Sequence, residues 1–314
     1  MNQNKTKRHR SILSFFLFCS IMNFPLIAQN QNQATNGVTE MDATAPASGP
    51  QNTAISNYAT SIAQEGAPAS VPQREIDPII LSNYVETGGN YLPLTNNFGH
   101  WAGGYARSSI TKGNNVWEGE LNGQSEFGDS GVYFGGGDTF TINSSWYGSI
   151  SAGSSVGGFF WPRFRTDEFI NKKWLKQKQW ITTFGFGYDA AKDPHRDHSL
   201  YFGSTYYFQR PWIVESGIRF NFSNPGNVFS PAGFIAITQG RNGSHYFTIR
   251  VGAGEEAYQL IGPTATLSDF KSQTLTIIWR QWAGEKWGIN FIGDYYHNPF
   301  YSRGGPSIGL FRLF

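Results

Sequence analysis

The chain is almost without cysteine: Cys19 is the only one in 314 residues. Disulfides and cysteine nucleophiles are therefore excluded from everything that follows residue 19. Charge is scarce as well. Asp, Glu, Lys and Arg together make up 15% of the chain, against roughly 25% in an ordinary soluble domain. Long apolar runs are also missing. Beyond the first 28 residues no stretch of 18 apolar residues occurs, so no segment reads as a membrane-spanning helix. If this chain sits in a membrane, it must do so as a β-barrel. Net basicity is absent too. The formal charge is +2, but Lys5, Lys7, Arg8 and Arg10 lie in an acid-free opening; without those 4 of the 24 basic residues, 20 face 22 acidic ones and the net is −2. The remaining basic residues are scattered among acids, so no nucleic-acid partner is expected.

What is present is aromatic and glycine-rich. Aromatics are 16% and glycines number 37, yet mean hydropathy is only −0.38. That combination fits strands with one apolar and one polar face.

The opening "MNQNKTKRHR" followed by "SILSFFLFCSIMNFPLIA" has the basic and apolar regions of a signal peptide, with cleavage expected after Ala28. A permanent anchor would need about 20 unbroken apolar residues, whereas Ser, Asn and Pro interrupt this run. Residues 29–77 are mostly Gln, Asn, Ala, Ser, Thr and Pro. Such a segment buries too little to order itself and is expected to be a disordered periplasmic linker.

From residue 78 to 314 the chain breaks into segments of about ten residues with period two. In "WIVESGIRFNF", Trp212, Val214, Ile218, Phe220 and Phe222 share one face, and Glu215, Gly217, Arg219 and Asn221 the other. "WGINFIGDYY", "HYFTIRVGAG" and "QTLTIIWRQW" alternate in the same way. The alternation predicts strands near 79–90, 101–111, 115–127, 131–142, 145–155, 160–173, 179–189, 199–208, 211–222, 231–239, 245–254, 272–282, 286–296 and 305–314. Links after even-numbered strands are compact, as in "KGNN", "NSS" and "GEK". Those after odd-numbered strands are mostly longer, the longest being "GEEAYQLIGPTATLSDFK". Short periplasmic turns alternating with longer outer loops mark an all-β fold, a transmembrane antiparallel up-and-down β-barrel of 12–14 strands preceded by the signal peptide and linker. Trp101, Trp117, Trp146, Trp174, Trp180, Trp212, Trp282 and Trp287 fall at strand ends, where an interfacial girdle is expected.

The chain ends on "SIGLFRLF". An alternating last strand resembles the signal by which outer-membrane barrels are handed to their assembly machinery, with Leu310 and Phe314 as its apolar positions. Arg312 falls on the same face, where a charge is tolerable only near the interface.

Five longer stretches carry a family likeness: "WEGELNGQSEFGDSGVYFGGGDTFTINSSWYGSISAGSSVGGFFWPRFR", "DPHRDHSLYFGSTYYF", "PWIVESGIRFNFSNPGNVFSPAGFIAITQGR", "GEEAYQLIGP" and "DYYHNPFYSRGG". On these, most of residues 100–314 resembles the YaiO-like outer-membrane β-barrel proteins. The resemblance implies the outer membrane of a Gram-negative cell, with the linker in the periplasm. With that location outer-membrane lipid and lipopolysaccharide are expected partners, and with the last strand the barrel-assembly machinery. The resemblance also implies an association with polysaccharide synthesis or export components.

The face assignment points Arg107, Glu118, Glu120, Glu126, Glu215, Arg219, Arg250, Arg280 and Asp294 inward. Such charges either brace a filled interior or select solutes in a hydrated pore. "FFWPRFRTDE" and "NPFYSRGG" put Trp161, Arg163, Arg165, Tyr301 and Arg303 where aromatic platforms and cations would suit a saccharide or lipopolysaccharide phosphate. "DPHRDH" adds His195 and His198 to these outer-loop candidates. With Asp193 and Asp197 they could resemble a metal site, but two histidines three apart on a loop make a poor ligand set, and no metal or other cofactor is expected. The expected function is a channel or export-supporting pore for a polar solute, with a saccharide or exopolysaccharide as the candidate. The alternatives are a barrel hydrolase acting on lipid A or surface glycan, and a structural barrel that presents loops. No G-x-S-x-G occurs and no spacing singles out a catalytic residue, so an enzyme is not expected.

Overall fold

A strand in lipid must find a partner for every backbone N–H and C=O, and only a closed sheet provides one throughout. The computed structural model describes residues 83–176, 178–208, 211–262 and 265–314. The expected signal peptide, the linker and the first residues of the first predicted strand lie outside them. Fourteen strands run in order: β1 (Tyr84–Pro93), β2 (His100–Lys112), β3 (Asn115–Glu126), β4 (Asp129–Thr141), β5 (Trp146–Gly157), β6 (Phe164–Trp174), β7 (Trp180–Ala190), β8 (Arg196–Tyr207), β9 (Trp212–Asn224), β10 (Val228–Arg241), β11 (His245–Leu260), β12 (Thr266–Gly284), β13 (Trp287–His297) and β14 (Ser302–Leu313). Each pairs antiparallel with its sequence neighbours, and β14 closes onto β1. Tyr84 faces Leu313 across that seam and Asn90 faces Ser307. Beyond it the Phe314 N–H donates to the Asn83 carbonyl at 2.9 Å, so the last residue still belongs to the sheet.

The period-two pattern resolves into two walls. Outward positions are apolar and exposed, among them Val132, Phe134, Phe184, Ile235, Ile249 and Leu310. Inward positions are polar or aromatic and mostly buried. Among the described residues no helix is long and apolar enough to cross a membrane. The two ends of the barrel differ. One carries the links after the even-numbered strands and both ends of the sheet, and is called here the turn end; the other is the loop end.

Two expectations need correction. Trp101 and Trp282 are buried in the interior instead of standing in an outer girdle. Their position in the pleat is inward, and indole rings fill the interior there as core residues. Trp117, Trp174, Trp180, Trp212 and Trp287 do stand outward and exposed. The loops are also shorter than expected, because the strands run on beyond them. The segment read as the longest loop is mostly strand: β11 continues to Leu260 and β12 begins at Thr266.

Where links are tight, the backbone demands particular residues. Phe127 and Gly128 join β3 to β4 with φ of 50° and 83°, the pair of left-handed values that a two-residue hairpin turn of matching twist requires. Phe127 accepts that conformation while its ring packs edge-on against Trp101, centroids 5.2 Å apart. Inward glycines have a second use. The Tyr105 ring lies over Gly88 and Gly309, where a Cβ would come within 2.6 and 2.3 Å of its hydroxyl. Rings laid against the wall leave room nearer the axis.

Candidate functional site: the barrel interior

The inward charges are sorted into two kinds of surroundings. On the side built by β1, β2 and β12–β14 the centre is Glu86, a residue whose facing was obscured in sequence by the adjoining Gly-Gly. Its carboxylate accepts from Arg107 Nη2 at 2.5 Å, Arg280 Nη1 at 2.9 Å, Tyr105 Oη at 3.0 Å and Asn290 Nδ2 at 3.2 Å. Four donors compensate its burial. Arg280 also lies over the Phe311 ring at 3.7 Å. Below it Tyr84, Tyr246, Trp282, Phe311 and Leu313 form an apolar plug at the turn end.

A second centre is Asp167 on β6. Arg165 grips it with Nε at 2.6 Å and Nη2 at 3.2 Å, and Arg219 reaches it from β9 at 3.4 Å while donating to Ser199 Oγ at 2.7 Å. Nearer the loop end Arg303 pairs with Asp294 at 3.5 Å and lies over Trp101 at 4.0 Å. Arg250 lies over Phe234 at 3.9 Å, and Lys173 over Tyr147 at 4.9 Å.

The wall made by β3, β4 and β5 is different. Between the buried Val116 and Glu126, the inward residues of β3 are Glu118, Glu120, Asn122 and Gln124, and all four remain half-buried. Across the pleat Glu118 and Glu120 face Gly137 and Gly135 on β4 and Ser109 and Arg107 on β2, while Asn122 lies between Tyr133 and Tyr105; Gly135, Gly137 and, on β5, Ser151 and Ser155 are also half-buried. Asn122 donates to Glu120 at 3.2 Å, and Asn90 to Gln124 at 3.3 Å. Glu126, at the loop end of β3, is sealed at 2% exposure. Glu215 on β9 is inward and half-buried.

The loop end is covered from above. The β11–β12 hairpin folds over the mouth with Ala257, Tyr258 and Leu260 buried against Phe159 and Val228. On one side Tyr258 lies on the His195 ring, centroids 3.7 Å apart. On the other, Gln259 is fully buried and hydrogen-bonds Tyr301 and Asn298. His195 is held in turn by Asp193, whose Oδ2 is 2.5 Å from its Nδ1. Burial raises the Asp193 carboxyl, but the hydrogen bonds and charge of His195 outweigh this and hold it below the usual aspartate value.

These contacts decide what the outer-loop candidates can reach. Trp161 is buried and stacked on Tyr133 at 5.1 Å. Tyr301 is 1% exposed and lies between Phe98 and Tyr296. Arg165 and Arg303 are strand residues, inward and ion-paired. Arg163 is exposed in the β5–β6 link. His198 points outward on β8, 5.1 Å from Tyr188, away from His195. Among the described residues no group of three or more His, Cys, Asp or Glu is arranged to hold a metal. Ile308, Leu310 and Phe314 stand on the outer wall and exposed, with Arg312 on the same face.

Comparison with known proteins agrees with this architecture. The YaiO membrane beta barrel domain profile matches residues 82–259. No curated protein matches the chain. Among solved structures, the CymD monoaromatic hydrocarbon channel superposes with a TM-score of 0.53 at 8% identity, covering 74% of this chain and 88% of that one. A TodX deltaS2S3 mutant monoaromatic hydrocarbon channel gives 0.51 at 10% identity, covering 86% and 96%. At these identities the likeness is one of fold.

Proposed function

The chain belongs to the YaiO membrane β-barrel family, and from that premise we propose that it is an outer-membrane channel for a polar solute. One observation carries the reading: four successive inward residues of β3, Glu118, Glu120, Asn122 and Gln124, stay half-buried, whereas most other inward positions that carry large or charged side chains are packed. A polar ladder that is only partly covered suits a hydrated passage better than a packed brace. The two solved structures described above are named as channels, although for monoaromatic hydrocarbons; the polar lining here favours hydroxyl-bearing or charged solutes, a saccharide chain among them.

The outer-membrane setting is supported by the outward tryptophans and by the turn end. Lys112, Lys176, Lys178, Lys286 and Arg312 lie there, and Lys172 sits over the Trp174 ring at 3.8 Å. Aromatics and cations together suit a headgroup layer.

The test is single-channel conductance of the full-length protein in a planar bilayer, with folding verified by heat-dependent gel mobility. Steady unitary currents are expected, blocked or slowed by saccharides small enough to enter. A folded protein that never conducts overturns the reading.

A further inference from the structure

The outer wall is not equally thick all round. Over β7, β8 and β9 large side chains stand next to one another: Phe184, Phe202 and Ile218 form one cross-strand row, all exposed. Over β1 and β2 the outward side chains are short. One row there runs from β14 to β3 as Leu310, Thr87, Ala106 and Leu121. The next row toward the turn end runs as Arg312, Val85, Ser108 and Gly119. Between the ridges of Leu310 and Leu121 the wall sinks into a groove of about 710 Å³. Toward the loop end the trough continues over Gly89, Gly104 and Gly123, with Ile308 and Val132 on its two sides. Thr87 donates its hydroxyl to the Tyr105 carbonyl at 2.9 Å, which turns the floor toward apolar contact.

The lower end of the groove is polar. Trp287 and Arg312 bound it there and face each other across the β13–β14 register. Arg312 is exposed, two residues from the last pair of the sheet. Among the described residues no ion pair joins it to an acid, the terminal carboxylate included.

We infer that this groove holds one glycerophospholipid of the leaflet at the turn end, with an acyl chain along Thr87, Ala106 and Leu121 and the phosphate on Arg312. The site lies outside the barrel and stands whether or not the interior conducts. A chain in the groove touches side chains on two sides as well as the floor, and so makes more dispersion contacts than a chain lying on the wall of Phe184 and Phe202. A guanidinium at headgroup depth is a matched donor for a phosphate, and an indole beside it suits the same layer.

The test is native mass spectrometry of the full-length protein in detergent, titrated with palmitoyl-oleoyl phosphatidylglycerol. The first lipid should bind more tightly than those that follow. Arg312→Gln should weaken that first step about fivefold, the worth of one cation near a lipid surface, and leave later steps alone. Ala106→Leu, which fills the floor, should abolish the preference for the first lipid; Phe202→Leu on the thick wall should not. Heat-dependent gel mobility verifies folding of each variant. The same lipid with a photoreactive acyl chain gives its position in the unaltered protein: cross-links should concentrate on β14, β1, β2 and β3. Successive steps of equal affinity, a first step unchanged by Arg312→Gln or by a folded Ala106→Leu, or cross-links spread evenly round the wall overturns the inference. A dimer that Ala106→Leu breaks would give the groove to a second copy of the chain and overturn it as well.

Discussion

The two sides of the barrel interior have the same backbone and opposite packing. Around Glu86, Arg107, Arg280 and Phe311, side chains from five strands meet, and inward residues are sealed. Along β3 to β5, beside the buried Tyr133 and Tyr147, a run of inward acids, amides, serines and glycines stays half-buried. What differs is side-chain length opposite side-chain length. Long cations facing long acids across neighbouring strands can neutralise each other and fill the space. On the β4 side Glu118 and Glu120 face Gly137 and Gly135, so fewer side-chain atoms fill the space beside them. A closed sheet therefore does not by itself decide between pore and plug; the sizes of the facing inward residues do.

The comparison can be broken most severely at Glu86. Glu86→Ala would leave Arg107 and Arg280 buried without their shared acid, a loss of about 3–5 kcal/mol, seen as a large drop in the temperature of the gel-mobility transition. Glu120→Ala on the open side should change that temperature little, within about 0.5 kcal/mol. A similar stability in the two variants would mean that the two sides are not packed differently. Next comes Trp282→Ala in the apolar plug, expected to cost about 3–5 kcal/mol, against a much smaller loss for the outward Trp287→Ala; thermal unfolding in detergent reads both.

Smaller effects sharpen the picture of the open side and its cover. Ser151→Tyr would set a ring in the space beside β3 and should reduce unitary conductance at least by half, with folding retained. Replacing residues 257–269 of the β11–β12 hairpin by a short turn should raise conductance, since Tyr258 and Gln259 lie over the mouth; unchanged current would mean that the hairpin does not restrict passage. The least effect concerns acid. Asp193 is lowered by His195 in the folded protein, so its contribution is present above the ordinary aspartate value and lost as pH falls through the lowered one. The Tyr258–His195 contact should therefore hold from pH 8 to 5 and loosen only below about pH 4, followed by proteolysis of the hairpin. Asp193→Asn should loosen it throughout.

Much of the fold was legible because alternation is a local property. "WIVESGIRFNF" assigns Trp212 outward and Arg219 inward with no knowledge of any partner, and the strand behaves so. Glu118 and Glu120 were legible on the same ground. Glu86 was not: its neighbours Gly88 and Gly89 blur the pattern, and its partners Arg107 and Arg280 are 21 and 194 residues away. Trp161 and Tyr301 looked available because aromatic loops with arginines resemble platforms. In the fold Tyr133 of the adjacent β4 covers Trp161, while Tyr296 of the same hairpin and Phe98, brought across the β1–β14 closure, cover Tyr301.

The order of residues along the chain determined the strands, their count to within the expected range, the two faces of each, and a last strand able to pair to its final residue. These depend on period two and on turn chemistry, which act within a dozen residues. The tertiary structure decided which inward charges are sealed, which remain reachable, and what covers the mouth. Those outcomes depend on which strand lies opposite which and in what register. Barrel closure sets both, bringing Glu86 and Arg280 together across 194 positions of sequence.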